Sequence, residues 1–489
     1  MKNWFSGTIL NYLRNIVPYL VVFIASLWSP SDTDLGWHLR YGEYFFKNFT
    51  ILQENIFSWQ MPNYHWVNHS WATDVVTFII YKSTGFIGLT IAGALVVTLI
   101  FYFFARAAKL SFWQQAITFP ILLYLEEPLT VISFRSQLLS LLALSILYYL
   151  FSVFEDGKRK KLFLALPLFL LWSNFHGGFI LGLGIFIVWV ALFIFKQFWT
   201  SNKLRNKLNT SEIKLLITIL FCCLLSTLIN PFGIGVYQET IRHFGNPLAK
   251  YIIEWLPFDI LTPLWWRLIF WGVLIFISLL IIIIRLQFID KIHYIVPLLI
   301  LYGLSLIARR YTWTMFLVSI PIIKEMLVLL KSIGEKKLTN ITYIIFIASY
   351  FYIVFVINPT KNILYMNWQR YCYVYARCSP DSAEALKKYA TDKKILTFYN
   401  WGGWLIWNYP EIKPSIDGRM PFWRDETGFN AFADYYFLEQ DLADVDKTTY
   451  DIVYMPPTKP IFKQMMRLVN EGKWELDYSD DFASIFVRL

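Results

Sequence analysis

Charge is scarce in this chain. Asp, Glu, Lys and Arg make up only 16% of its 489 residues, against 57% hydrophobic residues, more apolar side chain than a soluble domain of this length can bury. This excludes a water-soluble protein and makes the chain an integral membrane protein. Cysteine is scarce too. The four present, Cys222, Cys223, Cys372 and Cys378, make no metal-binding spacing. Cys222-Cys223 sit in an apolar run and read as packing residues, whereas Cys372 and Cys378 could close a short loop by a disulfide if their compartment is oxidising. A small-x-small cleavage site is also missing: the first apolar run leads into Trp28-Ser29-Pro30-Ser31, so a retained signal anchor is expected.

Long apolar runs, by contrast, are plentiful. Residues 87–105, 132–152, 177–195, 263–286, 312–330 and 338–357 are the clearest, since roughly 20 helical residues cross a hydrocarbon core. Shorter or more polar candidates occupy 13–29, 112–125, 161–174, 214–229 and 292–308. Together they predict about eleven transmembrane helices, and the distribution of basic residues tests that number. With Lys2 and Arg14 inside, the inner loops carry Arg106 and Lys109, Lys158 to Lys161, Lys196 through Lys214, Arg285 and Lys291, and Lys331, Lys336 and Lys337. The formal charge of +10 is therefore an inner-face orientation signal, and the 21 Trp and 30 Tyr read as interfacial belts. No nucleic acid partner is expected; membrane lipids are.

The opposite face holds a first loop at about 30–86, a second at 230–262, short turns near Glu126, His176 and Arg309, and everything after Asn358. The predicted organisation is a polytopic transmembrane domain over 1–357, including that first loop, and an extracytoplasmic α/β domain over 358–489. In the latter, Ser379-Pro380-Asp381 starts a helix, Ile395 to Phe398 and Asp451 to Tyr454 read as buried strands, Ile461 to Val469 as a helix, and Trp474 to Tyr478 with Ser484 to Val487 as a closing hairpin. In the first loop, Gly36 to Thr50 and Trp71 to Tyr81 have near-helical apolar spacing and suit helices lying along the membrane surface.

Charged groups at a membrane surface usually have a task, and the outer side supplies several. Ser31-Asp32-Thr33-Asp34-Leu35-Gly36-Trp37-His38-Leu39-Arg40 follows directly on the first apolar run. Asp34 could act as a general base towards an acceptor hydroxyl, or Asp32 and Asp34 could hold a divalent cation such as Mg or Mn; Asp34 could equally cap the following helix. Arg309-Arg310 lie on the outer side, where positive-inside bias makes adjacent arginines unusual, and guanidinium pairs bind phosphate bidentately. Arg135, beyond Glu126-Glu127-Pro128, is either part of a salt-bridge cluster or of a polar cavity wall. Trp172-Ser173-Asn174-Phe175-His176-Gly177-Gly178 is a tight polar reversal between spans, from which His176 and Asn174 could contact substrate. Asn230-Pro231-Phe232-Gly233 and Glu254-Trp255 bracket the second outer loop.

On these residues the chain resembles the GT-C superfamily of polytopic glycosyltransferases. Asp34-Leu35-Gly36-Trp37-His38-Leu39-Arg40 is similar to the Asp-containing first-loop motif of the oligosaccharyltransferase catalytic subunit. Tyr399-Asn400-Trp401-Gly402-Gly403-Trp404-Leu405-Ile406-Trp407 resembles that family's Trp-Trp-Asp-Tyr-Gly signature, and Ile416-Asp417-Gly418-Arg419 the short Asp-Gly segment after it. Gly402 or Gly403 stands where the signature has its acceptor-reading aspartate, so transfer to a protein sequon is not implied. The match covering nearly the whole chain is to bacterial GT-C-like membrane proteins with Trp-x-Asn-x-His-Gly-Gly, Asn-Pro-Phe-Gly and Trp-Gly-Gly-x-Leu-Ile-Trp segments.

The resemblance implies an α-helical polytopic GT-C-like fold in a bacterial inner membrane. It implies transfer of a hexosyl or pentosyl group from a polyprenyl-phosphate-linked donor to a lipid, glycan or protein acceptor on the outer face, with inversion. Arg309, Arg310 and Arg135 would hold the donor phosphate, Asp34 or Asp32 would be the catalytic base, and His38, Arg40, His176, Asn174, Glu254, Trp401 and Trp404 would contact substrate. Two other function classes fit the same cavity: a transporter or flippase for a lipid-linked glycan, and a noncatalytic envelope-assembly protein. The chain shows no internal repeat of the kind transporters are built from.

Overall fold

The computed structural model describes residues 15–204, 210–243, 246–357, 363–391 and 393–489. Lys2 and Arg14 of the expected inner N-terminus, and the expected domain boundary at Asn358, lie outside the described residues. The chain forms two compact units. One comprises residues 1–28, 90–240 and 249–362; the other joins residues 29–89 and 241–248 to residues 363–489.

The first unit is helical. Its elements are α1 (Asn15–Ala25), α3 (Trp71–Ala107) from Thr90 onward, α4 (Phe112–Thr130), α5 (Ser136–Glu155), α6 (Ala165–Phe175), α7 (Phe179–Leu204), α8 (Thr210–Ser226), α9 (Gly235–His243) up to Thr240, α10 (Pro263–Ile284), α11 (Phe288–Ile307), α12 (Thr312–Val318), α13 (Ile320–Leu327) and α14 (Glu335–Tyr352); α2 (Leu35–Asn48) belongs to the second unit. Among the described residues six helices are long and apolar enough to cross a membrane. A pair bent by 50°, Arg309–Val318 with Ile320–Leu330, makes a seventh if read as one broken span. The lipid-facing requirement is visible on α10, where Trp266, Phe270, Val273 and Phe276 are all at least half exposed, a stripe that water would penalise and hydrocarbon accepts. Inside, Trp189 on α7 stacks on Phe151 of α5 at 4.2 Å, and Trp271 on α10 donates to Ser319 Oγ at 2.7 Å. Asn230 shapes its own turn: its side-chain oxygen accepts from Phe232 N–H at 2.8 Å, its amide donates to the Thr227 and Gly233 carbonyls, and Gly233 takes the positive φ.

The second unit contains α2 and the first turns of α3, which breaks at Gly85, the one residue within it outside helical geometry. It continues through α15 (Trp368–Tyr371), α16 (Pro380–Leu386), α17 (Gly402–Asn408), α18 (Ala431–Glu439) and α19 (Ile461–Asn470), with β1 (Ile395–Thr397), β2 (Ile452–Met455), β3 (Trp474–Ser479) and β4 (Ser484–Arg488). The sheet order is β1-β2-β4-β3: β1 and β2 are parallel, the other pairs antiparallel. Every residue of β1 and β2 is buried, as their unbroken apolar runs require. Ser379 caps α16 by accepting from Ser382 N–H. Ile461, Gln464, Met465 and Leu468 form the buried stripe of α19. Cys372 and Cys378 are joined by a disulfide.

Candidate active site

Asp34 occupies the N-cap position of α2, yet its side chain makes no capping hydrogen bond. The helix start is ordered from behind: Asp34 N–H donates to Asp32 Oδ1 at 3.1 Å, and the Tyr371 hydroxyl donates to the Asp32 carbonyl. Three glycines make room for this loop. A Cβ on Gly418 would meet Asp34 Oδ1 at 1.9 Å, one on Gly403 would meet the Thr33 carbonyl oxygen at 2.4 Å, and one on Gly36 would meet the Gly403 carbonyl oxygen at 1.9 Å. The Trp-Gly-Gly and Asp-Gly segments therefore carry glycine because their backbones touch the Asp34 loop, where no side chain fits.

Beside Gly418, Asp417 and Arg419 form a buried bidentate pair, Nε to Oδ1 and Nη2 to Oδ2, both 2.7 Å. Nη2 also donates to Asn55 Oδ1 at 3.1 Å. The guanidinium lies over the rings of Phe57, Trp66 and Trp423 at 4.9, 5.2 and 5.3 Å, which suits a weakly hydrated, planar cation.

One turn beyond Asp34, His38 Nδ1 donates to Asp74 Oδ1 at 2.6 Å. Asp74 lies in the first turn of α3, fully buried, and its Oδ2 accepts from Asn68 Nδ2 at 2.6 Å. The two helices meet this closely because Gly42, one turn after His38, has no side chain: a Cβ there would lie 2.3 Å from the Asp74 carbonyl oxygen. The His38 ring stacks on Trp37, with centroids 3.6 Å apart. Burial works against a charged imidazole, but the Asp74 carboxylate, with Asp32 and Asp34 adding to it, more than offsets this and raises the pKa of His38 above its ordinary value.

Other expected substrate contacts in this unit have internal partners. Arg40 donates through Nε and Nη2 to the Ile406 and Trp407 carbonyls at 3.1 and 2.8 Å, capping α17, and pairs with Glu43. Trp401 is fully buried, its indole N–H donating to the Ala376 and Arg377 carbonyls. Trp404 is buried against Tyr409 at 5.1 Å. The structure places both indoles in the core of this unit. Sequence reasoning passed over Asp74, Asn68 and Asn55 altogether; Asp74, acidic in the first turn of a helix that follows a polar Asn68-His69-Ser70 run, was the signal available.

In the helical unit the expected phosphate-binding arginines do come together. Arg310 lies over the Trp255 ring at 4.2 Å, and Arg135 Nη1 is 3.6 Å from Glu254 Oε1. Arg309 is anchored by its backbone N–H to the Leu256 carbonyl at 3.1 Å and by Nε to the Pro257 carbonyl at 3.2 Å. Glu127 pairs instead with Arg267 at 2.7 Å. In the same unit Trp172 Nε1 donates to Ser140 Oγ at 2.7 Å, and Ser140 donates on to His176 Nδ1 at 2.6 Å. Gly178 N–H also donates to that nitrogen, at 3.2 Å. His176 Nδ1 is thus an acceptor twice over, which puts the proton of the neutral ring on Nε2. Asn174 bonds the Leu170 and Ile229 carbonyls and ties α6 to the segment before Asn230.

Asp32 Oδ1 accepts from the Asp34 N–H, and among the described residues there is no group of three or more His, Cys, Asp or Glu side chains able to hold a metal. A cavity of about 660 Å³ in the helical unit is lined by Lys109, Glu155, Arg159, Glu212, Lys291 and Glu325 among others. It includes none of the expected site residues, and its charges pair among themselves, as in Arg159 with Glu212 and Lys291 with Glu325.

No family model matches the sequence, and no curated protein matches it. Solved structures do. The Archaeoglobus fulgidus oligosaccharyltransferase in its apo form is similar over 91% of this chain and 69% of its own, at a TM-score of 0.53 and 10% identity. ArnT from Cupriavidus metallidurans, bound to undecaprenyl phosphate, is similar over 99% of this chain and 98% of its own, at a TM-score of 0.51 and 10% identity. The chain shares the fold of these two structures. Within that fold the first-loop carboxylates, the histidine after them and the paired arginines belong to this sequence, and their chemistry has to be argued from its own residues.

Proposed function

We propose that this protein is a membrane glycosyltransferase that moves a hexosyl or pentosyl group from a polyprenyl-phosphate-linked donor to an acceptor hydroxyl on the outer face of a bacterial inner membrane. The observation that carries the reading is Asp34. A carboxylate at a helix start, making no cap and enclosed by backbone kept free of side chains at Gly36, Gly403 and Gly418, is organised beyond what holding a helix requires. The GT-C-like fold, shared with an ArnT that was crystallised with undecaprenyl phosphate bound, supports the donor class.

In this reading Arg309, Arg310 and Arg135 bind the donor phosphate, and Asp34 is the catalytic carboxylate that engages the acceptor hydroxyl. That oxygen attacks the anomeric carbon from the side opposite the phosphate, the carbon–oxygen bond to phosphate breaks, and the configuration inverts. The phosphate departs as an anion and needs no acid. About eleven membrane spans and an extracytoplasmic C-terminal segment belong to the same proposal, supported by the alternation of basic loops.

Mass spectrometry of lipids copurifying with the wild type and with Arg309→Ala/Arg310→Ala tests the proposal. A polyprenyl phosphate or its sugar conjugate retained by the wild type alone is expected, and would name the sugar. Ordinary phospholipids in both preparations would turn the reading towards a noncatalytic envelope protein.

A further inference from the structure

His38 and Asp74 form a carboxylate–imidazole pair beside the Asp34 loop, and the glycosyl-transfer chemistry above leaves it unused. Four observations bear on what it does. The Asp74 carboxylate is fully buried and spends one oxygen on Asn68 and the other on His38 Nδ1, so its orientation is fixed and it fixes the tautomer of the ring. With Nδ1 donating to Asp74, Nε2 is left to exchange the proton. The ring stacks on Trp37 with centroids 3.6 Å apart, and 14% of the His38 side chain remains exposed. Finally, Asp34 stands four residues before His38, at the start of α2, and its carboxylate is close enough to favour the charged ring.

We propose that His38, held by Asp74, is the proton acceptor of the transfer reaction. The inference rests on the glycosyltransferase reading. An imidazole can take the acceptor proton and release it again to water within the working pH range, as general-base catalysis requires. As the acceptor oxygen bonds to the anomeric carbon, its O–H bond breaks and the proton moves to His38 Nε2. The sugar–phosphate bond breaks with its electron pair going to the phosphate. His38, now imidazolium beside Asp74, returns the proton to water. Asp34 orients the hydroxyl and stabilises the same cation. The carboxylates acting on His38 are Asp74 from α3 and Asp32 and Asp34 from the loop before α2, and the Arg419 guanidinium acts in turn on Asp74, favouring its charged form. The three carboxylates favour the protonated ring, so the base is lost as pH falls through a pKa set above the ordinary value.

The test uses full-length protein in nanodiscs. Undecaprenyl-phosphate-linked hexoses and pentoses serve as donors, total membrane lipid as acceptor, and undecaprenyl phosphate release is read from about pH 5 to 9. The wild type is expected to show an acid limb above about pH 6.5. Asp74→Asn should move that limb to lower pH, and His38→Gln should lower kcat by about 100-fold or more. Because His38→Gln could fail to fold, carbethoxylation of wild-type His38 by diethyl pyrocarbonate, read by peptide mass spectrometry, gives a second measure. Its pH midpoint should match the acid limb and fall in Asp74→Asn. A His38 that is never modified overturns the inference, as does a His38→Gln protein turning over with an unmoved limb. A wild type inactive on every donor defeats the glycosyltransferase reading and the inference with it.

Discussion

Gly418 packs its Cα directly against the carboxylate of Asp34, leaving no room for even a methyl group. The contact bridges 384 positions of sequence and explains why an Asp-Gly-Arg turn late in the chain matters to an acidic motif near its start. Gly418→Ala should displace the Asp34 carboxylate by a large fraction of an ångström and reduce transfer by about 100-fold, while the protein still purifies as a monodisperse species. Asp34→Asn, which keeps the size of the side chain and removes its charge, should abolish transfer while the protein still purifies folded. Undecaprenyl phosphate release and unfolding temperature, measured on the same preparations, check both. A Gly418→Ala protein with wild-type turnover would remove Asp34 from the catalytic centre.

Arg310 should not tolerate lysine. Its guanidinium lies over Trp255 with Arg135 and Glu254 in the same charged group, and a planar, weakly hydrated cation suits both the ring face and a phosphate's paired oxygens. Arg310→Lys keeps the charge and loses the fork, so retention of added undecaprenyl phosphate should fall about tenfold, roughly 1.4 kcal/mol. Equal retention by the lysine variant would mean the site supplies charge alone.

Much of the architecture after residue 363 was legible in the sequence, because it is local. The Ser379-Pro380 helix start, the two buried strands, the amphipathic helix beginning at Ile461 and the closing hairpin depend on periodicity and capping over a few residues. The convergence of Arg135, Arg309 and Arg310 with Glu254 was partly legible from topology. The carboxylate–histidine pair was not: His38 and Asp74 are 36 residues apart, and what joins them is the missing side chain of Gly42. Trp401 and Trp404, expected to contact substrate, are buried, and a sequence does not tell a buried indole from one whose face is open.

The Asp417–Arg419 pair gives a stability prediction. Both side chains are fully buried, so removing one charge strands the other. Asp417→Asn should cost about 3–5 kcal/mol, whereas Asp417→Asn with Arg419→Met should recover much of that loss. Denaturant unfolding of the two variants gives the comparison. If the single variant is the more stable, the pair has no structural role and the three aromatic rings around Arg419 hold the segment by themselves.

The Cys372–Cys378 bond tests where the C-terminal segment resides. A disulfide closing so short a loop contributes about 2 kcal/mol by chain entropy, and it persists only in an oxidising compartment. If the segment lies outside the inner membrane, peptide mapping without reductant should find the two cysteines linked in protein made by cells with intact periplasmic oxidation, and free in cells lacking it. Cys378→Ser should lower the unfolding temperature by a few degrees while leaving the lipid content of the helical unit unchanged. Free thiols in protein from oxidation-competent cells would place the segment on the cytoplasmic side, and the assignment of Lys- and Arg-rich loops to the inner face would have to be reversed with it.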